Sequence, residues 1–363
     1  MQSVVARKHA QPVAAPAQLR GFSLIELMVA MTLSLILLGG VIAIFSSSRA
    51  TYETTDRLSR IQESGRFALD SMVRDLRATG FIGCSQLANF TNTLKTPSNV
   101  FWDFGTSVQG FDGQGSAWVP GIDTTVITAP APTTNTDILV ARIPLPGARQ
   151  VRVMSNLAAT TDPVVVDPGL QANFKAQDIL MISDCNARAV FEVTAVNANQ
   201  LSHATSNATA STPGNATGNL GYAYFGDNDQ GGAEVVPMQT VIYYIGTRTG
   251  APAGTPPSLF RRVAGINAEE LVEGVENMQL AFGQATGAGT VTYRKAANVT
   301  NWNNVVSVNI ALLVRSQSQY GTDRDQATYD LIDSTLGTRV PAANDRHMRQ
   351  VFATTVSLRN TTL

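Results

Sequence analysis

Residues 20–26 read Arg20-Gly21-Phe22-Ser23-Leu24-Ile25-Glu26, and the apolar run that follows continues to Phe45. Glu26 is the only charged residue between Phe22 and Phe45. A helix over this run spans roughly 36 Å at about 1.5 Å per residue, enough for a hydrocarbon core of ~30 Å. A carboxylate at the centre of such a helix costs ~2.5–3.5 kcal/mol, so Glu26 belongs near the interface or beside a partner. Arg7, Lys8 and Arg20 lie upstream with no acid among them, and the next basic residue is Arg49. This asymmetry keeps residues 1–21 on the cytoplasmic side and exports the rest.

A secretory signal peptide would leave this run unusually long and internally charged, with only Ser46-Ser47-Ser48 as a weak cleavage site. A plain single-pass anchor explains everything except Glu26 and the Gly21-Phe22 junction. The stretch Gly21-Phe22-Ser23-Leu24-Ile25-Glu26-Leu27 resembles the class III leader of type IV pilins and type II secretion pseudopilins. The resemblance implies cleavage after Gly21 by a prepilin peptidase, N-methylation of Phe22, and Glu26 as the acid at the fifth mature position. It also implies that Glu26 meets the terminal amine of a neighbouring subunit, a buried ion persisting because it is paired. Snorkelling of Glu26 to the interface is the alternative.

Helical character continues beyond the apolar run. Leu58, Ile61, Gly65, Leu69, Met72 and Leu76 recur at three- and four-residue steps, the spacing of an amphipathic helix. Glu53/Arg57, Asp56/Arg60, Arg66/Asp70 and Asp70/Arg74 are i,i+4 opposite-charge pairs that suit its exposed side. No proline falls between residues 17 and 96, and a helix from Phe22 to Thr79 measures about 87 Å. Gly80 and Gly83 supply a stop. Gly39-Gly40 either admits a close helix neighbour or softens the helix.

Residues 80–363 are polar, rich in Gly, Thr and Asn, and broken into short β-type runs. The runs are 137–143, 178–183, 189–194, 240–245, 258–263, 305–314 and 351–358, whose spacing predicts antiparallel sheet. A short helix is expected over Ala268–Gly274. Ser202–Asn219 and Gly246–Pro257 read as exposed loops. The fold class is α+β: a long N-terminal helix packed on a β-rich head with room for two β subdomains. The organisation is leader 1–21, membrane half of the helix 22–48, exported half 49–79 and head 80–363.

The chain has two cysteines, Cys84 and Cys185. In an oxidising compartment a disulfide between them is the reading, with two unpaired thiols as the alternative.

The head narrows the resemblance. Gly80-Phe81-Ile82-Gly83-Cys84, Leu259-Phe260-Arg261-Arg262-Val263, the segment Glu270–Met278, and Trp302–Val308 running into Ala311–Arg315 resemble PilW-type minor pilins. This implies a subunit that joins other minor pilins, the major pilin and a tip adhesin to prime pilus assembly. It further implies residence in the bacterial inner membrane, head in the periplasm, before assembly, and on the pilus afterwards. Twitching motility and adhesion follow as the expected roles. Such proteins are also similar to GspJ-type pseudopilins of type II secretion, and a membrane-tethered binding protein that never polymerises is a further alternative.

Nothing points to an enzyme or a cofactor. The three histidines stand at 9, 203 and 347, and no G-x-S-x-G, H-E-x-x-H, C-x-x-C or P-loop spacing occurs. Asp227-Asn228-Asp229-Gln230-Gly231 with Glu234, and Asp323-Arg324-Asp325, are partial calcium-loop likenesses, with solvated turns as the default. Without Arg7, Lys8 and Arg20 the chain has 23 basic against 27 acidic residues, net −4. No basic stripe suggests nucleic acid.

Overall fold

The computed structural model describes residues 21–80, 89–96, 98–123, 126–209, 212–227, 232–287, 289–332, 336 and 339–358. The chain divides into two compact units, Met1–Asp56 and Arg57–Leu363. One helix, α1 (Leu24–Ala78), supplies the described backbone of the first unit and the opening element of the second. It stops as its sequence requires. Thr79 donates to Leu76 O through both N (3.2 Å) and Oγ1 (2.6 Å), and Gly80 turns the chain at φ 70, a left-handed position that suits glycine after a helix.

The strands then run β1 (Asn89–Asn92), β2 (Val108–Gln114), β3 (Ala117–Val119), β4 (Ile138–Pro144), β5 (Val151–Arg152) and β6 (Val164–Val165). Next come β7 (Ile179–Ser183), β8 (Ala187–Glu192), β9 (Ala195–Asn197), β10 (Gln200–Ser202), β11 (Glu234–Gly246), β12 (Ser258–Val263) and β13 (Glu269–Glu273). The last are β14 (Val275–Ala285), β15 (Val291–Arg294), β16 (Val305–Arg315), β17 (Tyr329–Asp330), β18 (Arg339–Val340) and β19 (Arg349–Ser357). A ten-stranded sheet follows the order β1-β8-β7-β11-β4-β2-β3, with β5 and β12 also paired to β11 and β13 paired to β12. A four-stranded sheet follows β15-β14-β16-β19, entirely antiparallel. The parallel pair in the large sheet is β1 with β8.

The long strand β11 explains how one head holds several cores. Its first residues pair with β7 and its later ones with β4 and β12. Alternation then divides its side chains. Val241, Tyr243 and Ile245 face the core that receives α1, while Ile242 and Tyr244 face a second cluster with Phe111, Trp118 and Phe260. The α1 core combines Ile61, Ala68, Met72 and Leu76 with Leu139 and Ala141 of β4, Met278, Leu280 and Phe282 of β14, and Val308, Ile310 and Leu312 of β16. A separate core between Val151 and Val235 gathers β5 to β10.

Two local expectations fail. Ala268–Gly274 holds no helix; Glu269–Glu273 is β13, paired antiparallel with β12. A lone segment of this length gains too little from helical bonds to outweigh a ready sheet edge. Ser202–Asn219 is not uniformly an exposed loop. His203 and Asn215 are buried, and Asn215 acts as a clamp. Its Oδ1 accepts from Glu192 N (2.8 Å) and Thr93 Oγ1 (3.1 Å), and its Nδ2 donates to Glu192 O, His203 O and Ala204 O. A polar side chain is stable inside when its hydrogen bonds are made, and composition alone does not reveal that. Gly246–Pro257 is mostly exposed, as expected.

Candidate functional site

The junction places its residues in a single turn. Gly21, Phe22 and Ser23 lead into α1, and Glu26 lies in its first turn. Glu26 Oε2 accepts from Ser23 N at 3.1 Å, and Leu27 N donates to Ser23 O at 3.1 Å. Ser23 is therefore the N-cap, and Glu26 forms the returning half of an S-x-x-E capping box. Neither a charged partner nor snorkelling anticipates this backbone donor, although the S-x-x-E spacing displays it. Every residue from Phe22 to Phe45 is exposed, Phe22 by 91%. This apolar surface is of the length and hydropathy that can cross a membrane.

The C-terminal half of α1 is held differently. Its buried residues are Ile61, Gly65, Ala68, Met72, Asp75 and Leu76, whereas Leu58, which the spacing assigns to the same stripe, is exposed. Gly65 allows the Phe352 ring to lie directly on the helix: a Cβ there would stand 2.5 Å from ring carbons. Asp75 is 8% exposed; its Oδ2 accepts from Tyr243 Oη (2.7 Å) and Arg261 Nε (3.1 Å). Burial first, and then the Asp75 charge, push the Tyr243 hydroxyl well above its ordinary range. Arg57 also differs from expectation. It donates to Ser318 and stacks over the Tyr320 ring at 5.2 Å, while Glu53 binds Arg49 at 3.2 Å.

At the start of β19 one arginine gathers three carboxylates. Arg349, its side chain 2% exposed, meets Glu276 (Nε–Oε2 2.6 Å), Asp325 (Nη1–Oδ2 2.9 Å) and Asp345 (Nη1–Oδ1 2.7 Å). Arg315 joins through Glu276 at 3.0 Å. The cluster fastens the segment between β16 and β19 to the four-stranded sheet. There Leu331 and Ile332 cover Ala281, Ala311 and Leu313 on the face turned away from α1. Hydrogen bonds from Arg349 hold the Asp345 carboxyl well below the usual range. Sequence reading missed both clusters, although Arg261, Glu276 and Arg315 all lie in the stretches that carry the family resemblance.

The remaining candidate residues lie in loops and turns of the head. Cys185 lies exposed in the turn Asp184-Cys185-Asn186 between β7 and β8, where Asp184 Oδ1 accepts from Asn186 N and Ala187 N. Cys84 lies outside the described residues, as does Gly83. Of the calcium-like stretch, residues 228–231 lie outside the described residues; Asp227 binds Arg152 at 3.1 Å and Glu234 accepts from Gln150. Asp325 is taken up by Arg349. Among the described residues no group of acids, histidines and cysteines forms a metal-holding cluster.

Comparison with known families gives two matches, one at each end. Residues 19–42 match the prokaryotic N-terminal methylation motif, and residues 242–360 match the type IV pilus-assembly protein W (PilW) family. The second match opens within β11 and takes in β12–β19, including Arg261, the four-stranded sheet and the Arg349 cluster. No curated protein and no solved structure matches the chain. The chain thus carries a PilW domain over the last third of its length and the methylation motif on its apolar helix, a combination that supports a PilW-type minor pilin.

Proposed function

We propose that this protein is a minor pilin, a structural subunit that helps to prime type IV pilus assembly, with other minor pilins, the major pilin and a tip adhesin as its partners. In this reading prepilin peptidase cleaves after Gly21 and Phe22 is N-methylated. The protein waits in the bacterial inner membrane with its head in the periplasm, then moves into the pilus, where it supports twitching motility and adhesion. The observation that carries the reading is the methylation motif on the exposed apolar stretch of a helix, Phe22–Phe45, in one chain with a PilW domain.

Glu26 is the centre of the proposed mechanism. Cleavage turns the peptide N–H of Phe22 into a charged amine. The carboxylate then has two possible donors, its own Ser23 N–H and a neighbouring subunit's terminal amine. The amine is the stronger partner, because a charge-assisted hydrogen bond in a medium of low dielectric exceeds a neutral one. Exchange of the cap for the amine sets axial register as the subunit leaves the lipid. The test is Glu26→Ala with N-terminal sequencing and recovery of sheared pili. The expected result is a mature methylated Phe22 terminus with no incorporation into pili. Normal incorporation would overturn the charge pair, and an unprocessed terminus in the wild type would overturn the whole reading.

A Cys84–Cys185 disulfide is part of the same proposal. It closes a loop of about 100 residues, worth roughly 4–5 kcal/mol in the chain-entropy model. Peptide mapping of the unreduced protein checks it: a linked pair supports it and two alkylated thiols reject it.

A further inference from the structure

Among the described residues one sheet edge is built unlike the others. The ten-stranded sheet ends at β1 and β3, of four and three residues; its branches end at β5, of two residues, and at β13, where three of five residues are glutamates. The three-stranded and two-stranded sheets end in strands of two or three residues. The four-stranded sheet ends on one side at β15, four residues that close on Arg294. Shortness and charge keep a strand edge from pairing further. On its other side that sheet ends at β19, nine residues without proline. The one charged residue of β19 is Arg349, whose side chain the three carboxylates enclose.

The register of β19 fixes which of its backbone groups are already used. Just beyond its two ends, Leu358 N donates to Val306 O and Ser316 N to Met348 O, each at 2.8 Å. Bonded pairs alternate along an antiparallel ladder, so Gln350, Phe352, Thr354 and Val356 exchange bonds with β16. The N–H and C=O groups of Val351, Ala353, Thr355 and Ser357 therefore point out of the edge. No group among the described residues bonds to them. Ala353, Thr355 and Ser357 also have exposed side chains, all of them small, so one flank of the edge is open to a neighbouring strand.

We propose that the edge of β19 accepts an extended, uncharged strand of a different subunit, which lengthens the four-stranded sheet by one. Main-chain bonds supply the attraction in strand addition. The edge offers no accessible charge, so an acid or a lysine laid against it would lose water without gaining a partner. A second copy has a strand of the same composition. Antiparallel pairing of two β19 edges, however, sets a two-fold axis normal to the sheet and so points the two α1 helices, which lie on that sheet, in opposite directions. Subunits anchored by α1 in one bilayer point it the same way. This choice of occupant rests on the assembly reading above; the open edge does not.

The test uses the full-length chain in neutral detergent and a synthetic peptide of the sequence Gln350–Leu358, N-methylated at its Phe352, Thr354 and Val356 positions so that it pairs along one edge only. Hydrogen exchange read residue by residue is expected to show fast Val351, Ala353, Thr355 and Ser357 amides in the chain alone. With saturating peptide they slow about tenfold, while those of Phe352 and Thr354 do not change. Thr355→Pro removes one outward N–H and no bond to β16, and is expected to weaken peptide binding about tenfold. Should it not fold, Thr355→Lys, which sets a charge on the edge, takes its place and weakens binding in the same sense. Unchanged outward amides in excess peptide, or equal affinity in the variant, overturn the acceptor edge. Slow outward amides in the dilute chain alone overturn it too, because the chain then covers its own edge. Slowing that grows with the concentration of the chain alone assigns the edge to a second copy and overturns the choice of a different subunit. In cells, benzoylphenylalanine in place of Thr355 is expected to link to a strand of another pilus subunit; a link to a second copy only, or no link, overturns that occupant. Failure of Phe22 processing sinks the assembly reading and leaves the peptide result standing.

Discussion

Up to Phe45, α1 leaves every residue exposed; between Ile61 and Leu76 the same helix buries six. The two stretches share one regular backbone, so helix propensity does not separate them. The first is apolar around its whole circumference, which demands an apolar medium on all sides. The second is polar except for one stripe, and that stripe carries two small residues, Gly65 and Ala68, the first of them against the Phe352 ring. Even their glycines differ. Gly39 and Gly40 have nothing within reach of an added Cβ, while Gly65 has the Phe352 ring. Their acids differ too. Glu26 accepts one backbone N–H, whereas Asp75 is enclosed by Tyr243 and Arg261. A carboxylate in the first stretch remains available for a new partner; one in the second is already committed to the fold.

That contrast can be broken or sharpened by substitution. The largest effect belongs to Glu26. Glu26→Gln keeps an acceptor for Ser23 N–H but loses the charge, and the expected outcome is a processed protein that never enters pili, with an unaltered urea midpoint for the head. Pili that contain Glu26→Gln at wild-type level would show that the cap suffices. Asp75→Ala is expected to do the reverse. It leaves Arg261 and the Tyr243 hydroxyl without their buried partner, at a cost of about 3 kcal/mol, the low end for breaking such a pair because Arg261 retains some solvent. Urea unfolding measures this, and a loss below about 1 kcal/mol would mean that Asp75 is no more committed than a surface acid. Gly65→Ala drives a methyl into the Phe352 ring and is expected to cost about 1–3 kcal/mol by overpacking. The smallest effect on the head is that of Gly39→Ala with Gly40→Ala. Each adds up to about 1 kcal/mol of helix propensity and leaves the head's midpoint unchanged. If the double variant folds, is processed and still fails to assemble, these glycines are a site of close helix approach rather than a soft point.

Much of the architecture could be read from local pattern. The helix was expected over Phe22–Thr79 and runs Leu24–Ala78; the strand expected at 258–263 coincides with β12, and that at 305–314 ends one residue short of β16. These segments carry their signal in period and punctuation. The chief omission among the strands is β14. Val275–Ala285 mixes Glu, Asn, Gln and Gly with its apolar residues, and its identity as a strand comes from pairing with β16 along nearly its whole length. Glu276, Arg315 and Arg349 were likewise visible as charges but not as a cluster, because they are 34 or more positions apart and meet only across three strands. Asn215 sat unnoticed in a low-complexity tract, since nothing in its neighbours announces five hydrogen bonds.

By itself the sequence determined the N-terminal methylation motif, the length of the apolar run, the α+β class and the resemblance to PilW-type subunits, because these depend on spacing along the chain and on short contiguous motifs. Tertiary structure alone decided which charges are buried and with whom. It gave Asp75 to Tyr243 and Arg261, gathered three acids on Arg349, and set Asp112 and Asp137 across the junction of two sheets. The physical reason is that desolvation and pairing are properties of three-dimensional neighbourhood. Glu26 looks the more anomalous acid in the sequence, yet Asp75, unremarkable there, is the one that the fold encloses.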